Sequence, residues 1–330
     1  MVSTILLFVV GLICLIKGGD WFVDGATGIA KRFNVPDLLI GATVVSIGTT
    51  LPEVMVSSTS AVQGISSIAY GNAIGSIICN TALVLALTIA ISPSDADRQS
   101  LKIPVIFFFT SAVYYAGIAY FSGEFSRVTG ILLLIIFVVY MFILIKQAVK
   151  GIKATDDEKA CEDDFAEGEA KKERSLTMEI VLLVIGAALI ALGAKLLVDN
   201  GTLLAQYMGV PETVIALTFV ALGTSLPELV TAIVSLAKGH GALSLGNIIG
   251  ANLFNLVFVS GMAITLNPFT LPAEKQIAGM NASLVVDVPM MFLVMILATI
   301  PTLKTGKLKR YQGIVLLALY AGYVAFQFIN

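Results

Sequence analysis

The chain has 330 residues, a formal net charge of −2, 13% charged residues and 57% hydrophobic residues. Soluble domains carry about 25% charged residues, so this composition excludes an ordinary soluble domain and predicts an all-α membrane protein. The balanced charge also excludes the basic surface of a nucleic-acid-binding protein.

Ten apolar segments follow one another along the chain, in two groups of five. The first has no positive charge before its apolar run, so we interpret it as a spanning helix and not as a signal peptide. A hydrophilic stretch between the groups predicts three parts: transmembrane repeat 1 (1–149), an acidic loop (150–175) and transmembrane repeat 2 (176–330). The segments cover residues 3–30, 37–63, 67–91, 101–122, 128–149, 177–206, 212–237, 243–266, 279–300 and 312–329.

The lysine and arginine residues between these segments lie almost all on one side of the predicted bundle. With the N-terminus outside, sixteen of them fall in inward loops and only two, Arg127 and Lys275, fall in outward loops. Because positively charged loops stay in the cytoplasm, we expect a multi-pass protein of the cell membrane. The acidic loop is then cytoplasmic and both termini are extracytoplasmic.

The two groups of segments repeat each other. When residues 35–80 are shifted by 175 positions onto residues 210–255, seventeen of the forty-six positions are identical. The matches include glycine, proline, glutamate and asparagine, which a general preference for apolar residues would not produce. Five helices separate equivalent points, and five is odd, so the second copy enters the membrane upside down. The sequence therefore predicts ten transmembrane helices as two inverted five-helix repeats, an architecture typical of secondary transporters.

Both copies place Leu-Pro-Glu inside an apolar segment, at residues 51–53 and 226–228. Proline has no amide hydrogen, and its ring clashes with the carbonyl four residues earlier. That earlier residue is a glycine in both copies, Gly48 and Gly223. We therefore expect a broken or kinked helix whose freed carbonyls face a polar cavity or a bound ion.

Glu53 and Glu228 hold equivalent positions in the inverted copies, so we expect them to meet near the centre of the membrane. A charge there costs at least about 2.5–3.5 kcal/mol, so a cation or a proton must compensate it. Neutral oxygen ligands share these helix faces, and an all-oxygen site suits Ca²⁺ or Na⁺. The faces carry Ser46, Thr50 and Ser57; Ser225; Asn72, Ser76 and Asn80; and Asn247 and Asn255.

The segments GNAIGSIICN (71–80) and GNIIGANLFN (246–255) each contain glycines four residues apart. This spacing predicts a close approach between helices. Together with GATVVSIGTTLPE and ALTFVALGTSLPE, the two segments resemble the paired α-repeats of the sodium/calcium exchanger family, within the cation/Ca²⁺ exchanger superfamily. The resemblance is closest to prokaryotic members and covers essentially the whole chain. It implies ten helices in a five-plus-five layout with a cytoplasmic central loop.

The resemblance also implies roles for individual residues. Glu53 and Glu228 would be carboxylate ligands shared by Ca²⁺ and Na⁺, and backbone carbonyls of Thr49 and Thr224 would complete the Ca²⁺ site. The flanking Na⁺ sites and the centre would use Thr50, Ser225, Ser76, the carbonyls of Ser46 and Ala221, and the amides of Asn80 and Asn255. Two positions depart from the pattern. Asn255 stands where some prokaryotic members have aspartate, and Ala251 stands where the repeat suggests serine.

The sequence therefore predicts a secondary active antiporter that exchanges Na⁺ for Ca²⁺ by alternating access, with helices 1 and 6 as the sliding gate. A Ca²⁺/H⁺ exchanger or a K⁺-dependent Na⁺/Ca²⁺ exchanger of the same superfamily is the alternative. An intramembrane hydrolase would need a nucleophile beside the sole histidine, His240, and a passive channel would not need inverted copies. We expect a monomer in the lipid bilayer that is not an enzyme, holds no cofactor and has no nucleic-acid partner.

Overall fold

Ten helices, numbered here in chain order, make up the protein in a computed structural model that describes residues 2–33, 35–159, 175–207, 221–272, 276–277 and 279–329. The prediction that the first repeat ends at residue 149 is wrong, because α5 continues to Lys159, into the predicted acidic loop. Residues 160–174 of that loop and the second Val-Pro pair at 210–211 lie outside the described part. The helices are α1 (Val2–Arg32), α2 (Asp37–Val62), α3 (Ser66–Ile91), α4 (Arg98–Phe121), α5 (Arg127–Lys159), α6 (Leu176–Tyr207), α7 (Leu226–Ala237), α8 (Gly241–Leu266), α9 (Ser283–Thr305) and α10 (Arg310–Ile329).

Eight of the described helices, α1 to α6, α8 and α9, are long and apolar enough to cross a membrane. Helix α7 is a shorter apolar helix, and a helical turn at Ala221–Thr224 precedes it. Long apolar runs favour helices in lipid because each helix satisfies its own backbone hydrogen bonds. The expectation of an all-α membrane protein with about ten apolar helices is confirmed by this architecture.

Short antiparallel strand pairs tie loops together at the two ends of the bundle. Strand β1 (Ser94–Asp95) pairs with β6 (Lys307–Leu308), and we name this end the His240 face because His240 and Asp37 lie there. Strand β2 (Glu124–Phe125) pairs with β3 (Phe269–Thr270) at the opposite end, which we name the Gly123 face. A third pair, β4 (Gln276–Ile277) with β5 (Met280–Asn281), lies between α8 and α9.

Helices α1 and α6 pack against each other along their length and run antiparallel. A Cβ atom added to Gly11 would lie 3.0 Å from the carbonyl oxygen of Gly193, and one added to Gly18 would lie 2.9 Å from that of Gly186. Gly25 similarly approaches the carbonyl of Glu179. Glycine at seven-residue spacing thus lets the two backbones touch, which is how membrane helices pack without a hydrophobic driving force.

A larger core holds the remaining helices together. Buried aliphatic and aromatic side chains of α3, α4, α5, α8 and α9 form one continuous cluster, with rings such as Phe137 and Phe254 packed edge to face at 5.0 Å. The α1–α6 pair belongs to a second, smaller cluster that also takes in the start of α2. The fold is therefore a pair of antiparallel outer helices packed on a larger bundle, and α2 and α7 lie where the two meet.

The N-terminus of α4 is capped by Asp97. Its carboxylate accepts hydrogen bonds from the backbone amides of Gln99 (3.0 Å) and Ser100 (3.1 Å) and from the Ser100 hydroxyl. Partial burial would raise the pKa of Asp97, but these three hydrogen bonds outweigh it and lower the pKa from its ordinary value of 3.8. The ionised cap is therefore the form that stabilises the fold.

We expect Asp97→Ala to lower the free energy of unfolding by about 1 kcal/mol, as the loss of a helix cap typically does. Since the folded-state pKa is lowered, the stabilisation is present at neutral pH and is lost as the pH falls through that pKa. Thermal unfolding of wild type and variant at several pH values measures this. Asp95→Ala is the matched control, because Asp95 is exposed and lies 3.8 Å from Lys307. Equal loss of stability in both variants would contradict the cap.

Candidate ion-binding site

The two Leu-Pro-Glu segments adopt different backbone structures. In the first copy α2 continues through Pro52, and a π-helical stretch at Gly41–Val45 precedes it. In the second copy the helix is interrupted at Ser225, which has φ −90° and ψ 1°, and Pro227 lies in the first turn of α7. The expected break is therefore present in the second copy, whereas in the first copy the helix continues and Pro52 only removes one backbone donor from it.

Helices α1 and α6 lie directly against these segments. A Cβ atom on Gly48 would lie 2.9 Å from the ring of Phe22 in α1, and one on Gly223 would lie 2.4 Å from Val198 in α6. A small cavity between the helices is lined by Phe22, Gly48, Thr49, Pro52, Ala187, Ile190, Ala191 and Pro227. Glycine at these two positions is therefore required for the outer helices to reach the Pro-Glu segments.

Glu53 and Glu228 are both fully buried, with 0% of their surface exposed. Their carboxyl groups are close enough to repel each other electrostatically. Thr49 and Thr50 of α2 lie beside the Glu228 carboxyl group. Within the described part of the chain, no carboxylate oxygen of either glutamate has a hydrogen-bond partner, and neither glutamate belongs to an ion pair. Because no described cation of the protein neutralises these two buried acids, a bound cation or a proton must offset their charge.

Two asparagines at equivalent positions of the repeats carry buried amides without partners in the described structure. Asn80 and Asn255 are fully buried, and the amide atoms of both lack hydrogen-bond partners among the described residues. Each stands at the first position of a π-helical stretch, Asn80–Leu85 in α3 and Asn255–Val259 in α8. Such stretches are rare and concentrate at functional sites.

Two hydroxyl groups in the same region also lack partners. Thr50 and Ser225 hold equivalent positions, three residues before the two glutamates, and are 1% and 2% exposed. Neither hydroxyl forms a hydrogen bond of regular geometry within the described ranges, and their neighbours there are the Glu228 carboxyl group for Thr50 and the Cys79 thiol for Ser225. Buried hydroxyls are ordinarily hydrogen-bonded, so these are available to a ligand.

The remaining predicted site residues differ in their burial and in their hydrogen bonds. Ser46 is buried, but its hydroxyl donates to the carbonyls of Gly41 (2.7 Å) and Asn247 (2.9 Å), which ties α2 to α8. Ser76 is buried and Thr224 is half-buried. Ala221 lies in the turn before α7, and its side chain falls outside the described part of the structure. The carbonyl function that the resemblance implies for Ser46 is compatible with its hydroxyl bonding elsewhere.

Asparagines next to the site position its helices. Asn247 accepts a hydrogen bond from Thr49 (3.2 Å) across the α2–α8 contact. Asn72 donates to the backbone carbonyl of Glu53 (3.1 Å) and to the Ser57 hydroxyl (2.8 Å). These two asparagines are equivalent in sequence, yet one bonds to the opposite repeat and the other to its own.

Two neighbours were missed by the sequence analysis. Asn252 donates to Thr81 (2.7 Å) and to the sulfur of Met295 (3.2 Å), which joins α8, α3 and α9. Its equivalent in the first copy is Ile77, so the repeat gave no signal. Cys79 is buried and interacts electrostatically with both glutamates, but in the sequence it looked like one more apolar position.

His240 lies at the N-terminus of α8, the helix end that was expected. Its Nδ1 atom lies 2.7 Å from an oxygen of Asp37, at the start of α2. In the described structure His240 is thus paired with a carboxylate and not with a serine or threonine hydroxyl. The pair therefore lacks the hydroxyl nucleophile that hydrolysis would need.

The assembled site offers two carboxylates with neutral hydroxyl and amide oxygens. Among the described residues there is no group of three or more histidine, cysteine, aspartate or glutamate side chains that could hold a metal. A closed zinc site is therefore not formed there. Hard cations such as Ca²⁺ and Na⁺ take a few carboxylates together with neutral oxygens, and this arrangement suits them.

Comparison with known proteins agrees with this chemistry. The sequence model of a family described as "Sodium/calcium exchanger protein" matches residues 3–146 and 178–329. The chain is 36% identical over 313 residues to an uncharacterized membrane protein of Methanocaldococcus jannaschii, covering 95% of this chain and 94% of that one. It is 30% identical to the sodium/calcium exchanger MaX1 of Methanosarcina acetivorans, covering 98% of both chains.

The structure is likewise similar to solved structures of the sodium-calcium exchanger NCX_Mj. In one that was soaked with 2.5 mM Na⁺ and 0.1 mM Ca²⁺, the match has a TM-score of 0.79 and 34% sequence identity and covers 98% of both chains. The match therefore extends over the α1–α6 pair and the central bundle alike.

Proposed function

Because this chain belongs to the sodium/calcium exchanger family, whose members are membrane transporters, we propose that it is a secondary active antiporter that exchanges Na⁺ for Ca²⁺ by alternating access. The observation that carries the proposal is the pair of facing, fully buried carboxylates, Glu53 and Glu228, which no protein cation neutralises in the described structure. The two ions compete for one pair of acids, so that one leaves when the other binds.

The ions are the substrates of the site and not resident cofactors. Glu53 and Glu228 serve both ions, and an empty pair repels itself, which discourages return without cargo. The proposed ligand set is completed by the carbonyls of Thr49, Thr224, Ser46 and Ala221, the hydroxyls of Thr50, Ser225 and Ser76, and the amides of Asn80 and Asn255.

Several features support two inverted repeats with the site between them. The family model matches both halves of the chain. Helices α1 and α6, equivalent by the 175-residue offset, pack antiparallel. The π-helical stretches that begin at Asn80 and Asn255 obey the same offset, and strand pairs close the bundle at both ends. An inverted pair places its substrate site near the midplane.

The α1–α6 pair supports the gating step of this mechanism. Its two helices touch backbone to backbone and share one small core, so they can move as one rigid unit. They contact the Pro-Glu segments at Gly48 and Gly223, and α1 also packs on α7, where a Cβ atom on Gly19 would lie 2.7 Å from Val230. Sliding of the pair along these contacts would open the site first to one side and then to the other.

The proposed orientation places the His240 face in the cytoplasm of a cell. That face carries Lys307 and Arg310, and Lys238 pairs with Asp24 at 2.7 Å near it. A positively charged face stays inside. The acidic loop 150–175, between repeats 1–149 and 176–330, is then cytoplasmic and both termini are outside. We propose that the protein works as a monomer, since each chain holds both glutamates.

Flux in proteoliposomes tests this function. Vesicles loaded with Na⁺ and diluted into Na⁺-free medium with radioactive Ca²⁺ should take up Ca²⁺, and vesicles loaded with choline should not. Uptake driven by a pH gradient and not by Na⁺ would replace the proposal with Ca²⁺/H⁺ exchange. Uptake that needs both Na⁺ and K⁺ inside would make the protein a K⁺-dependent exchanger. Ca²⁺ flux without any counter-ion would indicate a channel.

A further inference from the structure

Three buried hydroxyls outside the proposed ligand set have no partner. Thr231 and Ser235 of α7 are 0% exposed, and Ser244 of α8 is 2% exposed. None of their hydroxyls has a hydrogen-bond partner within the described part of the chain. An unsatisfied buried hydroxyl costs about 1–3 kcal/mol, so three together need an explanation.

Several other buried hydroxyls of this protein are satisfied within their own helix. Thr27, Thr81, Thr299 and Thr302 each donate to the carbonyl four residues earlier, at 2.6–2.9 Å. That bond is the standard way for a threonine or serine in a membrane helix to satisfy itself. Since Thr231, Ser235 and Ser244 do not form it, their hydroxyls are free to face a passing ligand.

The three hydroxyls form a file that starts at the proposed ion site. Glu228, Thr231 and Ser235 are spaced by three and four residues, so they lie on one face of α7. From Glu228 to Ser235 the helix rises about 10 Å toward the His240 face. The carbonyl of Ser235 accepts a hydrogen bond from the His240 amide (2.8 Å), one turn before Ser244.

Ser244 opens into a cavity at the His240 face. The cavity has a volume of about 10 Å³, which is room for one water. Its polar lining includes Thr88, Ser92, Ser94 and Ser244. Thr231 and Ser235 thus carry hydroxyls from Glu228 along α7, and Ser244 and the cavity carry them to the His240 face.

The internal repeat reproduces this row of hydroxyls only in part. Shifted by 175 residues, Ser235 corresponds to Ser60, whereas Thr231 corresponds to Val56 and Ser244 corresponds to Ala69. In α2, Ser57 receives a hydrogen bond from Asn72 and donates to the carbonyl of Ala69 (3.3 Å). The half-buried Ser58 of α2 also has a hydroxyl without a partner among the described residues.

We propose that Thr231, Ser235 and Ser244 line the path along which a Ca²⁺ or Na⁺ ion moves between Glu228 and the His240 face. This inference rests on the proposed exchange function. Neutral hydroxyl oxygens can replace part of the hydration shell of a cation without trapping it, which a row of carboxylates would do. Conduction needs sites that bind weakly enough for the ion to leave.

Thiol labelling tests the position of the path. Starting from an active variant without Cys14, Cys79 and Cys161, single cysteines replace Thr231, Ser235 or Ser244. A charged, membrane-impermeant thiol reagent should label them during exchange, from the same side as a marker Lys307→Cys. Thr299→Cys, equally buried but on a satisfied threonine, should stay unlabelled. Labelling only from the opposite side, or no more than at Thr299→Cys, would overturn the path.

Removing the hydroxyls tests their role. The triple variant Thr231→Val, Ser235→Ala, Ser244→Ala should transport Ca²⁺ about tenfold more slowly, with little change in the Ca²⁺ concentration for half-maximal rate. Thr299→Val and Thr302→Val are controls that should transport at the wild-type rate. An unchanged rate in the triple variant would contradict the path. Wild-type protein that shows no Na⁺-driven uptake would instead contradict the proposed function, because labelling does not depend on which ion drives the cycle.

Discussion

Replacing Glu53 or Glu228 by glutamine is expected to reduce Na⁺-driven Ca²⁺ uptake by about a hundredfold or more. Removing one charge from a buried ionic contact costs about 3–5 kcal/mol, and each 1.4 kcal/mol corresponds to a factor of ten in affinity. Glutamine keeps the size of the side chain and one oxygen, so the change isolates the charge. Uptake of radioactive Ca²⁺ into proteoliposomes at several Ca²⁺ concentrations measures the loss.

Glu179→Gln is the matched control for these variants. Glu179 is also buried in a membrane helix, but its carboxylate pairs with Arg32 at 3.2 Å and lies outside the proposed site. We expect this variant to keep its transport and to lose some stability. If Glu53→Gln and Glu228→Gln transported as well as Glu179→Gln, the two acids would not be the shared ion ligands.

Thermal unfolding provides a second readout for the same pair. In the ion-free protein two buried carboxylates repel each other, so removing one charge should leave the melting temperature unchanged or raise it. Wild-type protein should gain stability when Ca²⁺ is added, because a ligand that binds only the folded state stabilises it. The glutamine variants should lose that gain. A variant that melts low with or without Ca²⁺ would indicate misfolding and not loss of a ligand.

Gly246→Ala is expected to destabilise the protein by about 2 kcal/mol or more, as overpacking of a tight core does. An added Cβ atom would lie 2.1 Å from the carbonyl oxygen of Leu38 in α2. Backbone cannot move aside as a flexible side chain can, so α2 and α8 would separate. That separation would also pull Thr49 from Asn247, and exchange should fall with stability.

The control for this variant is Gly322→Ala in α10. A Cβ atom there meets no atom of the described residues within 4 Å, and Gly322 is exposed. Melting temperature and Na⁺-driven uptake of both variants, measured in parallel, decide the outcome. If Gly246→Ala had the same melting temperature as Gly322→Ala and the wild type, the α2–α8 contact would not be as close as described.

The glycine pattern shows how far the sequence could predict packing. The spacing at 71–75 and at 246–250 predicted close approach in both copies. Gly250 does approach α2, since a Cβ there would lie 2.7 Å from the Cα of Ala42, but Gly71 and Gly75 have no described neighbour within 4 Å. A four-residue spacing reports that a helix can be approached closely; it does not report which helix comes near.

The sequence likewise did not report which partners the polar residues near the site would have. Equivalent positions predicted equivalent roles for Asn72 and Asn247, yet Asn72 bonds within its own repeat and Asn247 bonds across to α2. Asn252, Thr231 and Ser244 have no polar counterpart in the other copy, so the repeat could not reveal them. Their roles depend on the rotation of each helix about its axis, which differs between the halves.

The amino-acid sequence by itself determined the membrane class, the bounds of most helices and the positions of the two buried glutamates. These follow from local physics: apolar runs must form helices in lipid, and proline with glycine four residues earlier disturbs a helix wherever it stands. Only the tertiary structure decided that Thr49 and Thr50 lie beside Glu228, how α1 and α6 join, and which buried hydroxyls lack a partner among the described residues. Contacts between side chains depend on the tilt and rotation of whole helices, and those are set by packing summed over the entire bundle.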